Sequence, residues 1–279
     1  MRKQLLCDID GVLLPADPDP ELPYMKRLVY LRKLCEEYRK SQGLKQIDDS
    51  LITHDRFNKR ETTDLGYAMT LLYPDHNPFA QPLSCLLDIA DIAESLIKDS
   101  MIYYFKLLKE SNELVYEPNP GIREFLSQCQ KAGWILKIAS GNPYDLTESK
   151  LRLSGLENYF KNGDHPFLDL KMSYGEEAFF RDSIIISARN RLFDGKTLYI
   201  GDRVSDIGVV SRVEGVRGII IPSFPAEQLY STQIQDLVFT NRILVLDGLS
   251  DKKLRNQALS FMESNNQDIE TKLPISAKR

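Results

Sequence analysis

Gln4-Leu5-Leu6-Cys7-Asp8-Ile9-Asp10-Gly11-Val12-Leu13-Leu14 decides how the rest of the chain is read. A short apolar run with the character of a buried strand stops at two carboxylates one residue apart, and a glycine follows at once. Strand alternation sends the side chains of Asp8 and Asp10 to one side. A turn there lifts both to the strand's carboxyl end, where open α/β sheets bind ligands. Carboxylates so close repel each other unless a cation lies between them or one keeps its proton, so the pair points to a hard metal such as Mg²⁺ or to acid–base chemistry. A solvated turn is the plain alternative.

Composition sets outer bounds. At 279 residues the chain accommodates one large domain or a main domain with an insert. Lys and Arg number 36 against 40 Asp and Glu, and the resulting net charge of −4 gives no general attraction to nucleic acid or anionic membrane. Met1-Arg2-Lys3 and the short apolar run after it read as neither a signal peptide nor a membrane span, so a cytoplasmic protein is expected. Cys7, Cys35, Cys85 and Cys129 show no paired spacing and read as free thiols. His54, His76 and His165 are equally dispersed and read as surface or capping residues.

After the first strand, Pro15, Pro18, Pro20 and Pro23 mark an exit linker. Residues 24–40 then carry Met25, Leu28, Leu31, Leu34 and Cys35 at helical steps, and 51–72 and 86–109 continue helical, separated by a proline-rich loop. Residues 16–115 thus read as a helical unit. From Pro118 onward the pattern alternates: a helix to Lys131, a strand over 134–139, Ser140-Gly141-Asn142-Pro143, and a helix over 144–153. A helix over 181–192, a strand over 197–201, Asp202-Arg203-Val204-Ser205-Asp206, and strands over 218–221 and 242–246 follow. The fold class is α/β with a mainly parallel, Rossmann-like sheet, built from 1–15 and 116–264, with 16–115 inserted and 265–279 a fraying tail.

Three strands therefore end in Asp8/Asp10, Ser140 and Asp202/Asp206, which a parallel sheet gathers along one edge. In type and order these residues resemble the motifs of the haloacid dehalogenase superfamily of phosphohydrolases, and the helical insert is similar in position to that family's C1-type cap. The resemblance implies an Mg²⁺-dependent phosphatase acting on a small phosphorylated metabolite. In it Asp8 is the nucleophile that forms an aspartyl-phosphate, and Asp10 is the general acid and base whose backbone carbonyl binds metal. Ser140 binds a phosphoryl oxygen beside Gly141 and Asn142, while Asp202 joins Asp8 around Mg²⁺ and Asp206 coordinates through water or fixes the ligand shell. Cys7 should point away from Asp8, into the strand core.

The family's third motif, a lysine that neutralises charge around the nucleophile, has no clear counterpart. Distance from Asp202 selects Arg181 first and Lys171 second; both also read as ordinary surface cations. An acid at Asp10 resembles phosphatases and phosphomutases, so a mutase is the alternative, and a non-catalytic regulatory protein that kept the fold is another. Substrate choice is expected from the cap, with Tyr24, Arg27, Arg56, Lys59, Arg60 and Tyr67 as candidates.

Overall fold

The computed structural model describes residues 2–15, 23–47, 63–73, 83–110, 116–160, 181–189, 195–223 and 232–264. Lys171, Arg56, Lys59, Arg60, the three histidines and the 265–279 tail lie outside the described residues.

Five parallel strands form one sheet: β1 (Lys3–Cys7), β2 (Ile135–Ile138), β3 (Lys196–Gly201), β4 (Val216–Ile220) and β5 (Ile243–Val245), in the order β2-β1-β3-β4-β5. β1 is interior, with Cys7 in register with Ile138 on one side and Ile200 on the other. The order reverses at β1, because the chain first adds β2 on one side and then β3 on the other. That is the switch point at which connections diverge and leave a crevice.

Period-two alternation explains the two layers. Leu5, Cys7, Leu136, Ile138, Leu198 and Ile200 face one core, packed by α4 (Ile122–Lys131) and the last helix, α9 (Lys252–Glu263). Leu6, Tyr199 and Ile220 face the other, packed by α6 (Arg181–Arg189), α7 (Val204–Arg212) and α8 (Thr232–Phe239). Cys7 belongs to the first core, and burial pushes its thiol well above the ordinary range. It is inert packing rather than a second nucleophile.

The insert contains α1 (Pro23–Ser41), α2 (Asp64–Leu72) and the long α3 (Leu83–Glu110). Leu31, Cys35, Leu65, Met69, Leu72 and Ala93 belong to its own core. It meets the α/β part where Met101 and Tyr104 of α3 pack on Leu146 of α5 (Tyr144–Leu153). Among the described residues, no helix is long and apolar enough to cross a membrane.

Several elements are shorter than periodicity predicts, because backbone donors are claimed by neighbouring helices. Trp134 donates to Cys129 O and closes α4, so β2 starts at Ile135 rather than 134; Arg242 donates to Leu237 O, and β5 starts at Ile243 rather than 242. Residues 190–192 of the helix predicted over 181–192 lie outside the described residues.

Candidate active site

The first loop is shaped by glycine and by asparagine. Gly11 has φ +82°, and a Cβ there would lie 2.0 Å from Asp202 Oδ2, so only the bare backbone lets the two motifs touch. Asn119, where the chain returns from the insert, donates from Nδ2 to Val12 O at 2.8 Å and Leu14 O at 3.0 Å, and from its backbone N–H to Leu13 O. This clamp holds the turn after β1 in place.

Asp8, Asp202 and Asp206 come together at the strand ends, all buried, with one carboxylate oxygen of each within 4.8 Å of the others. Asp8 Oδ1 accepts from the Ile9 N–H at 2.8 Å. Asp206 is tied by donors: Tyr199 OH on one oxygen, and the backbone N–H groups of Asp202 and Arg203 on the other, each at 2.8–2.9 Å. It caps the first turn of α7 and shapes the loop. Asp202 accepts from Ser223 Oγ on Oδ2, while its buried Oδ1 has no partner among the described residues. Burial, followed by the charges of Asp206 and Asp8, raises the Asp202 carboxyl to about 8. A buried acceptor without a donor inside a like-charged cluster fits a divalent cation, and an all-oxygen donor set fits a hard ion such as Mg²⁺.

Asp10 sits apart from that cluster in its bonding. Its carboxylate accepts from Lys150 Nζ at 2.8 Å on both oxygens and from Asn142 Nδ2 at 2.8 Å. Burial alone would raise its pKa; Lys150 and Asn142, with help from Arg203, outweigh burial and hold it below the usual carboxylate range. Lys150 is itself lowered, chiefly by burial, with Asp10 opposing. Ser140 is buried after β2, and its Oγ accepts from the Asn142 N–H at 3.2 Å. Ser140, Gly141 and Asn142 thus form a loop fastened to Asp10.

Of the residues singled out in the sequence, Asp8, Asp10, Ser140, Gly141, Asn142, Asp202 and Asp206 gather along one sheet edge. Arg181 is the first residue of α6, whose next residue, Asp182, pairs with Arg212 on α7. The buried cation beside Asp10 is Lys150, a residue that sequence reasoning passed over. A signal existed: on α5 the buried residues are Leu146, Thr147, Lys150 and Leu151, so Lys150 occupies a position on the inward stripe. A surface cleft lined by Ile97, Met101, Ile102, Phe105 and Asp145 contains none of these site residues.

Sheet order, carboxylate cluster and helical insert together make an α/β fold with a Rossmann-like parallel sheet and its acids at the strand ends. No family model matches the sequence, and no curated protein matches it. Among solved structures the chain is similar to a β-phosphoglucomutase from Clostridium difficile, at 14% identity over 94% of this chain and 97% of that one, with a TM-score of 0.53. It is also similar to a putative β-phosphoglucomutase from Bacteroides vulgatus, at 11% identity over 94% and 91%, with a TM-score of 0.54. A hydrolase from Pseudomonas syringae gives 14% identity over 93% and 99%, with a TM-score of 0.52. These likenesses establish the fold.

Proposed function

We propose that the protein is an Mg²⁺-dependent phosphatase that hydrolyses a small phosphorylated metabolite through an aspartyl-phosphate on Asp8. The observation that carries this reading is the convergence of Asp8, Asp202 and Asp206 at the switch point, beside Ser140 and the Lys150-bound Asp10. The names borne by the structural neighbours, phosphoglucomutase and hydrolase, support phosphoryl chemistry.

Asp8 and Asp202 would hold Mg²⁺ with the Asp10 backbone carbonyl, and Asp206 keeps the loop that presents Asp202. When bound, the cation offsets repulsion between carboxylates and phosphoryl oxygens. Asp8 attacks phosphorus in line, and its new O–P bond replaces the bond to the leaving alcohol. Ser140 Oγ and the Asn142 loop orient a phosphoryl oxygen. Asp10, a carboxylate here, would take a proton from the water that attacks the aspartyl-phosphate, and that proton would then serve the leaving oxygen of the next substrate molecule. Lys150 favours that carboxylate form.

The test uses an aryl phosphate and Mg²⁺ with Asp8→Asn and Asp10→Asn proteins, quenched in acid and weighed intact. Asp10→Asn is expected to gain one phosphoryl group on Asp8, because a good leaving group needs little protonation while the second step lacks its base. Asp8→Asn is expected to gain none and to turn over no substrate. Phosphate on Ser140, or turnover by Asp8→Asn, overturns the reading.

A further inference from the structure

Arg27 of α1 is fully buried among the insert helices, with 0% exposure. Its guanidinium donates from Nη2 to Asp64 Oδ2 and from Nε to Ser100 Oγ at 3.1 Å, while Nη1 is buried without a hydrogen-bond partner among the described residues. A charged donor left unmet inside a protein is costly, and native structures rarely keep one without a use.

The surroundings place that donor beside the reaction centre. Asp64 opens α2, and its backbone N–H donates to Gly141 O at 3.0 Å, in the loop between Ser140 and Asn142. Arg27 and Asp64 both act electrostatically on Lys150, and buried Tyr104 of α3 senses Arg27 and Asp10 alike. Arg27, Asp64 and Tyr104 come from three cap helices, Lys150 from the core. Ser140 and Asn142 would meet the phosphoryl group from the core side, and the Asp64 contact to Gly141 O sets this polar cluster against the same loop from the insert side.

We infer that Arg27 Nη1 recognises the leaving-group portion of the substrate, and that the matching Asp64 restricts that portion to an uncharged, hydroxyl-bearing alcohol. The inference rests on the phosphoryl-transfer reading above. Asp64 already answers the guanidinium's charge, so what Nη1 still offers is a directed N–H suited to a hydroxyl or ether oxygen. A second phosphate or carboxylate on the substrate would meet the buried Asp64 carboxylate as well as Arg27, and like charges in a dry chamber repel strongly. The pair therefore selects monophosphates of hydroxylated alcohols over bisphosphates.

Calorimetric binding in Mg²⁺ tests this, with Asp8→Asn as the background so that no probe is consumed. Fructose 6-phosphate, fructose 1,6-bisphosphate and inorganic phosphate are the probes. The monophosphate is expected to bind at least ~10-fold more tightly than the bisphosphate. Adding Asp64→Asn keeps an amide oxygen for Arg27 but removes the opposing charge, and is expected to move the ratio at least ~10-fold toward the bisphosphate. Adding Arg27→Gln is expected to weaken fructose 6-phosphate ~10-fold or more beyond any change in inorganic phosphate. A bisphosphate preference in the background protein, an unmoved ratio with Asp64→Asn, or equal losses for sugar phosphate and phosphate with Arg27→Gln each overturn the inference. Failure of the phosphatase reading is separate: it appears as wild-type protein that turns over no aryl phosphate.

Discussion

Lys150 Nζ lies 2.8 Å from both carboxylate oxygens of Asp10, although one residue comes from the turn after the first strand and the other from a helix 140 residues later. The contact is buried on the lysine side, where 1% of the side chain is exposed. Without the ammonium, burial would weigh more heavily and the Asp10 pKa would rise.

Lys150→Met follows from that balance. Phosphoenzyme breakdown loses its base at neutral pH, and turnover is expected to fall on the order of 100-fold. Because the Asp10 pKa rises in the variant, activity should recover in part as pH increases, whereas the wild type shows no such recovery. Steady-state rates against pH, with intact mass to detect accumulated phosphoenzyme, check both. Turnover near wild type across the range removes Lys150 from the mechanism.

Asp202→Asn separates metal binding from activity. The Asp202 carboxyl is raised to about 8 in the folded protein, above its unfolded value, so the stability linked to its proton is present at low pH and lost as pH rises toward and through 8. Metal-free wild type should therefore lose Tm relative to the variant between about pH 4 and pH 8. Mg²⁺ should raise Tm by a few degrees in wild type and leave Asp202→Asn unmoved. Thermal melts with and without chelator decide it.

Gly11→Ala introduces a Cβ 2.0 Å from Asp202 Oδ2 at a backbone φ of +82°. Strain of about 1–3 kcal/mol plus displacement of Asp202 is expected, seen as a Tm lower by several degrees and a lost response to Mg²⁺. A variant with both intact shows that the loop does not need the bare backbone.

Glu263→Gln probes the far side of the sheet. Glu263 accepts from Trp134 Nε1 and Lys3 Nζ at 2.8 Å; burial opposes its ionised form, but these donors win and its pKa is lowered. Its contribution is therefore present above the unfolded carboxylate range and lost as pH falls through the folded value. The variant should melt lower than wild type at pH 7 and match it below about pH 4, followed by fluorescence of Trp134, the one tryptophan.

Much of this was legible before the structure. The apolar run from Gln4 to Cys7, the turn residues after it, Ser140 after one later strand and the acids after another point to a parallel sheet with its carboxylates at one edge, since strand direction and pleat leave little freedom. The spacing on α5 could place Lys150 on an inward stripe but could not pair it with Asp10, because that pairing depends on how α5 lies against a loop set by another strand. Glu148 and Arg152 beside it pair on the surface. Arg27 stood among the cap candidates, but its pairing with Asp64 across 37 residues carries no periodic signature. Asp206 shows a finer limit: spacing located it, whereas its three protein donors, which make it a loop-former, depend on the turn of α7.

The interior position of β1 has a consequence for how the chain is made. Its two sheet neighbours, β2 and β3, are synthesised only after the whole insert, so Lys3–Cys7 leave the ribosome long before either partner exists. The insert, by contrast, is contiguous and its α1, α2 and α3 pack on one another. Domains fold N-terminal first during synthesis, and long-range strand pairing is slow. The insert helices can therefore pack before the sheet closes, with an apolar strand bearing Asp8 at its end left waiting until Lys196–Gly201 emerge.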